Sequence, residues 1–105
     1  MSTKPADLAH PDVYTLFKLT FKDVAATNDG KNALQCLDIM VIFDPDFIST
    51  KLLKYIFRNY KNELANGIKL LNDYNLVTQA KNHYQLHRVV QAARIDSNKA
   101  KLLLD

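Results

Sequence analysis

Asn62-Glu63-Leu64-Ala65-Asn66-Gly67-Ile68-Lys69-Leu70-Leu71-Asn72-Asp73-Tyr74-Asn75-Leu76-Val77-Thr78-Gln79-Ala80-Lys81-Asn82-His83-Tyr84-Gln85-Leu86-His87-Arg88-Val89-Val90-Gln91-Ala92-Ala93-Arg94 is the stretch on which the fold of this chain turns. In Asn62–Tyr74 the apolar positions Leu64, Ala65, Ile68 and Leu71, with Leu70 and Tyr74 offset, recur at helical spacing and define one buried stripe. The opposite stripe is polar: Asn62, Asn66, Lys69 and Asp73. Gly67 inside this helix disfavours it by about 1 kcal/mol relative to Ala, so a close helix crossing is expected there. Asn75 tolerates the left-handed conformation that ends helices, which places the stop at Asp73-Tyr74-Asn75.

The period then changes. Leu76–Gln79 and His83–Leu86 are short and rich in β-formers, and Ala80-Lys81-Asn82 between them reads as a hairpin loop. Tyr84 and Leu86 fall on one face of that hairpin. Helical spacing returns at Leu86, Val89, Val90 and Ala93, with His87, Gln91 and Arg94 on the other face. His87 thus stands at a helix start, off the core stripe and near two cations. Free N–H groups at a helix start, with a cation close by, suit an anion.

Working outward, Ser49 or Thr50 is expected to cap a helix whose stripe is Leu52, Leu53, Ile56, Phe57 and Tyr60, with Lys51, Lys54 and Arg58 in water. A short link at Lys61-Asn62 brings it back against Asn62–Tyr74 in a helix-turn-helix arrangement. Upstream, Lys31–Phe43 is apolar almost all round and is predicted to be a central helix buried on several sides. Asp44-Pro45-Asp46 breaks it, because proline cannot continue the hydrogen-bond ladder. Thr27-Asn28-Asp29-Gly30 is a turn. Val13–Leu19 is apolar without clean periodicity, either extended or the start of a helix, and Thr20 is placed to cap Phe21–Ala26. Residues 1–12 read as a flexible lead-in. After Arg94, Ile95-Asp96-Ser97-Asn98 interrupts the pattern, and residues 96–105 read as a tail or the start of a truncated following helix, whose Leu102–Leu104 would want a partner. The fold expected is mostly α: a winged helix over residues 13–95, made of a helix-turn-helix core, a short two-stranded β-hairpin and a C-terminal helix.

The 105 residues make one domain, long enough to bury roughly two-thirds of the unfolded surface without disulfides or metals. Apolar residues at 48% and charged residues at 24% are ordinary for a globular protein, which sets aside disorder. A net charge of +3 and a pI near 9.0 permit an acidic or nucleic-acid partner without demanding one. Cys36 is the single cysteine, so no internal disulfide forms, and its place in the most apolar helix makes it a small buried hydrophobe. The polar N-terminus carries no secretory signal, and no apolar run approaches the roughly 18 residues of a membrane span, so a soluble, cytoplasmic protein that does not engage membrane is expected.

Three segments in order carry a family resemblance: Leu37–Ile48 (Leu-Asp-Ile-Met-Val-Ile-Phe-Asp-Pro-Asp-Phe-Ile), Ile68–Val77 (Ile-Lys-Leu-Leu-Asn-Asp-Tyr-Asn-Leu-Val) and Tyr84–Gln91 (Tyr-Gln-Leu-His-Arg-Val-Val-Gln). Together they resemble the winged-helix subdomain of NB-ARC (STAND-type) ATPases, signalling switches that include plant resistance proteins and the apoptotic protease activating factor. The closest likeness is to the branch bearing tetratricopeptide repeats. The last segment is similar to that family's Met-His-Asp element, whose histidine contacts the phosphate of a nucleotide held on a separate domain. The resemblance therefore implies that His87, with Arg88 beside it, senses ADP or ATP supplied by a partner nucleotide-binding domain, and that a repeat domain is a further partner. Arg88 departs from the Asp found in many members. No Gly-x-x-x-x-Gly-Lys-Ser/Thr loop is present, and Gly30-Lys31-Asn32 lacks both its first glycine and its hydroxyl. The isolated chain is thus expected to be non-enzymatic, with no cofactor of its own.

The residues themselves support another reading, a dimeric winged-helix DNA-binding regulator. In that reading helix 62–74 enters the major groove with Asn62, Asn66 and Lys69, and the 76–86 hairpin adds Lys81. Lys61 and Arg88 are further phosphate contacts. Glu63 and Asp73 oppose it, and a solvated face is the plain alternative for the stripe. A third reading is a protein-interaction module using the Leu102–Leu104 end. Histidines and Cys36 show no metal-ligand spacing, and Asp44/Asp46 read as helix stop and start.

Overall fold

The computed structural model describes the backbone of residues 11–104 and the side chains of residues 13–100. It contains α1 (Pro11–Ala25), α2 (Gly30–Met40), β1 (Ile48–Ser49), α3 (Thr50–Ile56), α4 (Lys61–Asp73), β2 (Val77–Gln79), β3 (His83–Leu86) and α5 (Arg88–Leu104). The described chain is mostly helical, as expected, with one small antiparallel sheet in the order β1-β3-β2. One core joins these elements, and Leu37, Met40, Leu53, Leu71 and Val90 meet in it with almost no exposure.

Val13–Leu19 is neither extended nor separate: it forms a single helix with Phe21–Ala25. Tyr14, Phe17, Phe21 and Val24 face the core at steps of three and four. Thr20 lies inside the helix, where its hydroxyl donates to the Leu16 carbonyl (3.2 Å), so it caps nothing. The expected lead-in over residues 1–12 falls outside the described residues except for Pro11 and Asp12, whose backbone opens α1.

The turn before α2 is tight. A Cβ on Gly30 would stand 2.0 Å from the Val24 carbonyl oxygen, so only glycine lets α1 and α2 approach this closely. The central helix ends at Met40, three residues earlier than expected, and Ile42 is 72% exposed. The cause lies downstream. Pro45 disfavours helical backbone at Asp44, and the Asp44 carboxylate accepts from the Asp46 N–H at 2.9 Å, a local turn that competes with the helix. The Pro45 carbonyl then accepts from the Leu86 N–H (2.7 Å), tying this turn to the end of β3.

The sheet has a strand more than the expected hairpin. Ile48 pairs with Tyr84 and Ser49 with His83, a contact too short to leave any alternation in the sequence. Across the hairpin the register is Val77↔Leu86, Thr78↔Gln85 and Gln79↔Tyr84, which buries Tyr84 and Leu86 on one face as read. Ser49 is the cap of α3, its hydroxyl accepting from the Leu52 N–H at 3.2 Å. Only Leu53 of the α3 stripe is fully interior; Leu52, Ile56 and Tyr60 are exposed, because this short helix touches the body along one edge.

In α4 the buried residues are Leu64, Gly67, Ile68 and Leu71. A Cβ on Gly67 would lie 2.9 Å from Cys36 Sγ, 3.0 Å from the Asn32 carbonyl oxygen and 3.2 Å from Ala33 Cα, so α4 crosses α2 at this glycine. Asn75 follows with φ 60°, the left-handed residue that ends the helix. The C-terminal helix does not stop at Arg94. α5 runs unbroken to Leu104 and spans the boundary expected at 95/96. Asp, Ser and Asn weaken helices when their side chains bond the local backbone. Here Asp96 bonds Lys18 on α1 and Asn98 bonds Asp38 on α2, so tertiary partners take those groups and the helix persists. The side chains of Leu102–Leu104 lie outside the described residues.

Candidate nucleic-acid interface

Because Leu64, Ile68 and Leu71 fix one side of α4 in the core, its opposite stripe must face away from the molecule. Asn62, Asn66, Lys69 and Asp73 are all exposed along it. The Lys69 ammonium pairs with the Asp73 carboxylate one turn on, at 3.3 Å, and the pair occupies the C-terminal half of the helix. The N-terminal half presents Asn62 and Asn66.

Beside this stripe a groove of about 570 Å3 runs between α3, α4 and the hairpin. Leu64, Ile68 and Tyr84 line it together with Lys54, Lys61 and Lys69. Lys81 is exposed in the hairpin loop. Positive charge is concentrated in the stretch of chain that builds this groove. From Thr50 to Asn82 the chain carries six cations, Lys51, Lys54, Arg58, Lys61, Lys69 and Lys81, against two acids, Glu63 and Asp73. The surplus there is four, whereas the whole chain has +3, so the remainder is slightly acidic. Glu63 lines a different depression, with Asn32 and Gln35 of α2 and Tyr60, and so lies off the lysine groove.

The residues expected to meet a nucleotide phosphate are placed otherwise. His87 is exposed immediately before α5, and its Nδ1 accepts from the Val89 N–H at 3.1 Å, so the imidazole caps the helix. Arg88 is paired with the Asp46 carboxylate at 2.9 Å, and Gln85 donates to the Asp46 carbonyl. Arg94 lies further along α5, where Nε and one terminal nitrogen hold the Asp38 carboxylate at 2.6 and 3.2 Å. Gln91 donates to the Val41 and Phe43 carbonyls, closing the end of α2. Arg88, also read as a phosphate contact for DNA, is thus turned to Asp46.

Cys36 is buried where α2 meets α4, and burial pushes its thiol from 9.0 up to about 11. Burial also raises Tyr84, with the neighbouring Cys36 adding to it. Both stay neutral near pH 7, which fits a core role. Among the described residues, no group of three or more His, Cys, Asp or Glu is arranged to hold a metal ion, and no helix is long and apolar enough to cross a membrane.

Two features of this arrangement were not legible beforehand. Lys54 reads from sequence as one more solvated lysine, and only the return of α4 and the hairpin makes it a wall of the groove. The partnering of Arg88 and Arg94 with Asp46 and Asp38 spans 42 and 56 residues, beyond any local pattern. No protein-family model, curated protein or solved structure matches this chain.

Proposed function

We propose that this chain is a winged-helix domain that binds duplex DNA, with α4 in the major groove, the hairpin as its wing and the lysine groove along the phosphate backbone. The observation that carries this reading is the collection of Lys54, Lys61 and Lys69 in one groove beside the outward stripe of α4. The order of elements from α2 to β3, with sheet order β1-β3-β2, supports the winged-helix assignment. A helix flanked by a hairpin, with cations in the channel between, suits a duplex presenting its groove and one backbone. The nucleotide-switch reading implied by the family resemblance asks for an imidazole and a cation free to meet phosphate. His87 is engaged as a helix cap, which favours DNA over that reading.

The test is a titration of the 105-residue chain with a random duplex at several salt concentrations. Micromolar or tighter binding at low salt, with an affinity that falls steeply as salt rises, is expected. No binding at low salt would remove the DNA reading and make His87→Ala in a protein carrying a nucleotide-binding domain the next experiment.

A further inference from the structure

We infer that Asn62 and Asn66 select A·T pairs in the major groove, at positions within about two base-pair steps of one another. This inference rests on the duplex-DNA reading and adds the sequence class to it.

Three observations lead there. First, the reading face of α4 is divided along its length. Its C-terminal half holds Lys69 against Asp73, so the one cation in the stripe that could address guanine is shared with a carboxylate that repels phosphate. Second, its N-terminal half, the end that enters a groove first in this geometry, offers exposed Asn62 and Asn66 with exposed Ala65 between them. An asparagine amide matches adenine, donating to N7 and accepting from the N6 amino group, and an alanine methyl suits the thymine methyl of the partner base. Third, the spacing is fixed by the helix. Four residues rise about 6 Å, and successive base pairs are about 3.4 Å apart, so the two amides address neighbouring pairs rather than one. Lys54 and Lys61 stand to the side in the groove, where they set affinity without reading bases.

Sequencing of the duplexes that the chain retains from a fully randomised pool at moderate salt tests this. Two A·T positions within about two steps are expected to be enriched. Asn62→Ala should erase one preference and Asn66→Ala the other, each lowering the ratio of preferred to non-preferred binding about tenfold. Binding to a random duplex should fall less than binding to the preferred duplex in both, since neither side chain carries charge. Both changes put a better helix former at an exposed helical site, so folding is retained. Salt-dependent binding without A·T enrichment, or enrichment untouched by both substitutions, overturns the inference and leaves the DNA reading standing. A guanine preference lost in Lys69→Ala overturns it as well, making Lys69 the reader. Absence of all binding at low salt removes both.

Discussion

Gly67 shows how one residue serves two opposed demands. Helix propensity favours Ala there by about 1 kcal/mol. The crossing forbids it, because an added Cβ would press on Cys36 Sγ at 2.9 Å and on the Asn32 carbonyl oxygen at 3.0 Å, and the latter is backbone. Overpacking of this kind costs about 1–3 kcal/mol. Gly67→Ala is therefore expected to lower the melting temperature, by about 4–8 °C for each net kcal/mol. A melting temperature equal to or above that of the parent would show that the helices are not held this close. Cys36, on the other side of the same contact, gives stability a pH dependence. Its folded-state value of about 11 lies above the ordinary 9.0, so the folded chain keeps a proton that the unfolded chain releases. Stability is unaffected below about pH 9 and declines as pH rises toward 11. Tyr84 acts in the same direction. Urea unfolding at a series of alkaline pH values should show this decline, and Cys36→Ala should make it shallower. An identical slope in parent and variant would refute the assignment.

Among the elements, α5 departs furthest from its local propensities. Its middle, Ile95-Asp96-Ser97-Asn98, carries helix-weakening residues, yet the helix crosses them. Asp96 meets Lys18 at 2.6 Å, and Asp38 collects both Arg94 and Asn98. These two anchors differ in strength. The Arg94 side chain is 14% exposed and grips Asp38 with two nitrogens, while Lys18 and Asp96 are 38% and 45% exposed. A charged two-point hydrogen bond in a half-buried setting is worth about 1–3 kcal/mol, a solvated pair about 0–1. Arg94→Ala should accordingly destabilise the chain clearly more than Lys18→Ala, as read from urea midpoints. Equal losses would mean that α5 is held by its apolar stripe alone, through Val90 and Ala93. Helix α3 tells the complementary story. Ser49 marks its start in the sequence, but its apolar stripe does not reveal that only Leu53 reaches the core.

On the scale of the whole molecule, charge is separated rather than large. The surplus of four lies in the stretch from Thr50 to Asn82, which carries α4 and the groove, and the rest of the chain is slightly acidic. A modest net charge can thus conceal a strongly cationic side. Each lysine that meets phosphate should contribute about 0.9 to the slope of log affinity against log salt. Lys54→Ala, Lys61→Ala and Lys81→Ala should each lower that slope by about that amount. Lys22→Ala, an exposed change on α1, should leave it unaltered. A slope that responds equally to Lys22 and to the groove lysines would show that no particular face meets DNA.

What the sequence determined by itself is the set of local decisions: the helix of Asn62–Tyr74 with its polar outer stripe, the stop at Asn75, the hairpin with Tyr84 and Leu86 inward, a cap at Ser49 or Thr50 and the burial of Cys36. Each follows from the period of apolar residues or from the backbone preference of one residue, and both act within a few positions of the chain. Tertiary structure decided what depends on distant groups. It ended α2 at Met40 through a turn tied to β3, paired Ile48 with Tyr84, carried α5 through Asp96 and Asn98, and set the exposed Lys54 along the groove. It also took His87 as a cap and Arg88 as the partner of Asp46. A side chain with hydrogen-bonding or charged ends can meet several alternatives, and which of them it meets is set by the elements packed beside it, not by its neighbours in sequence.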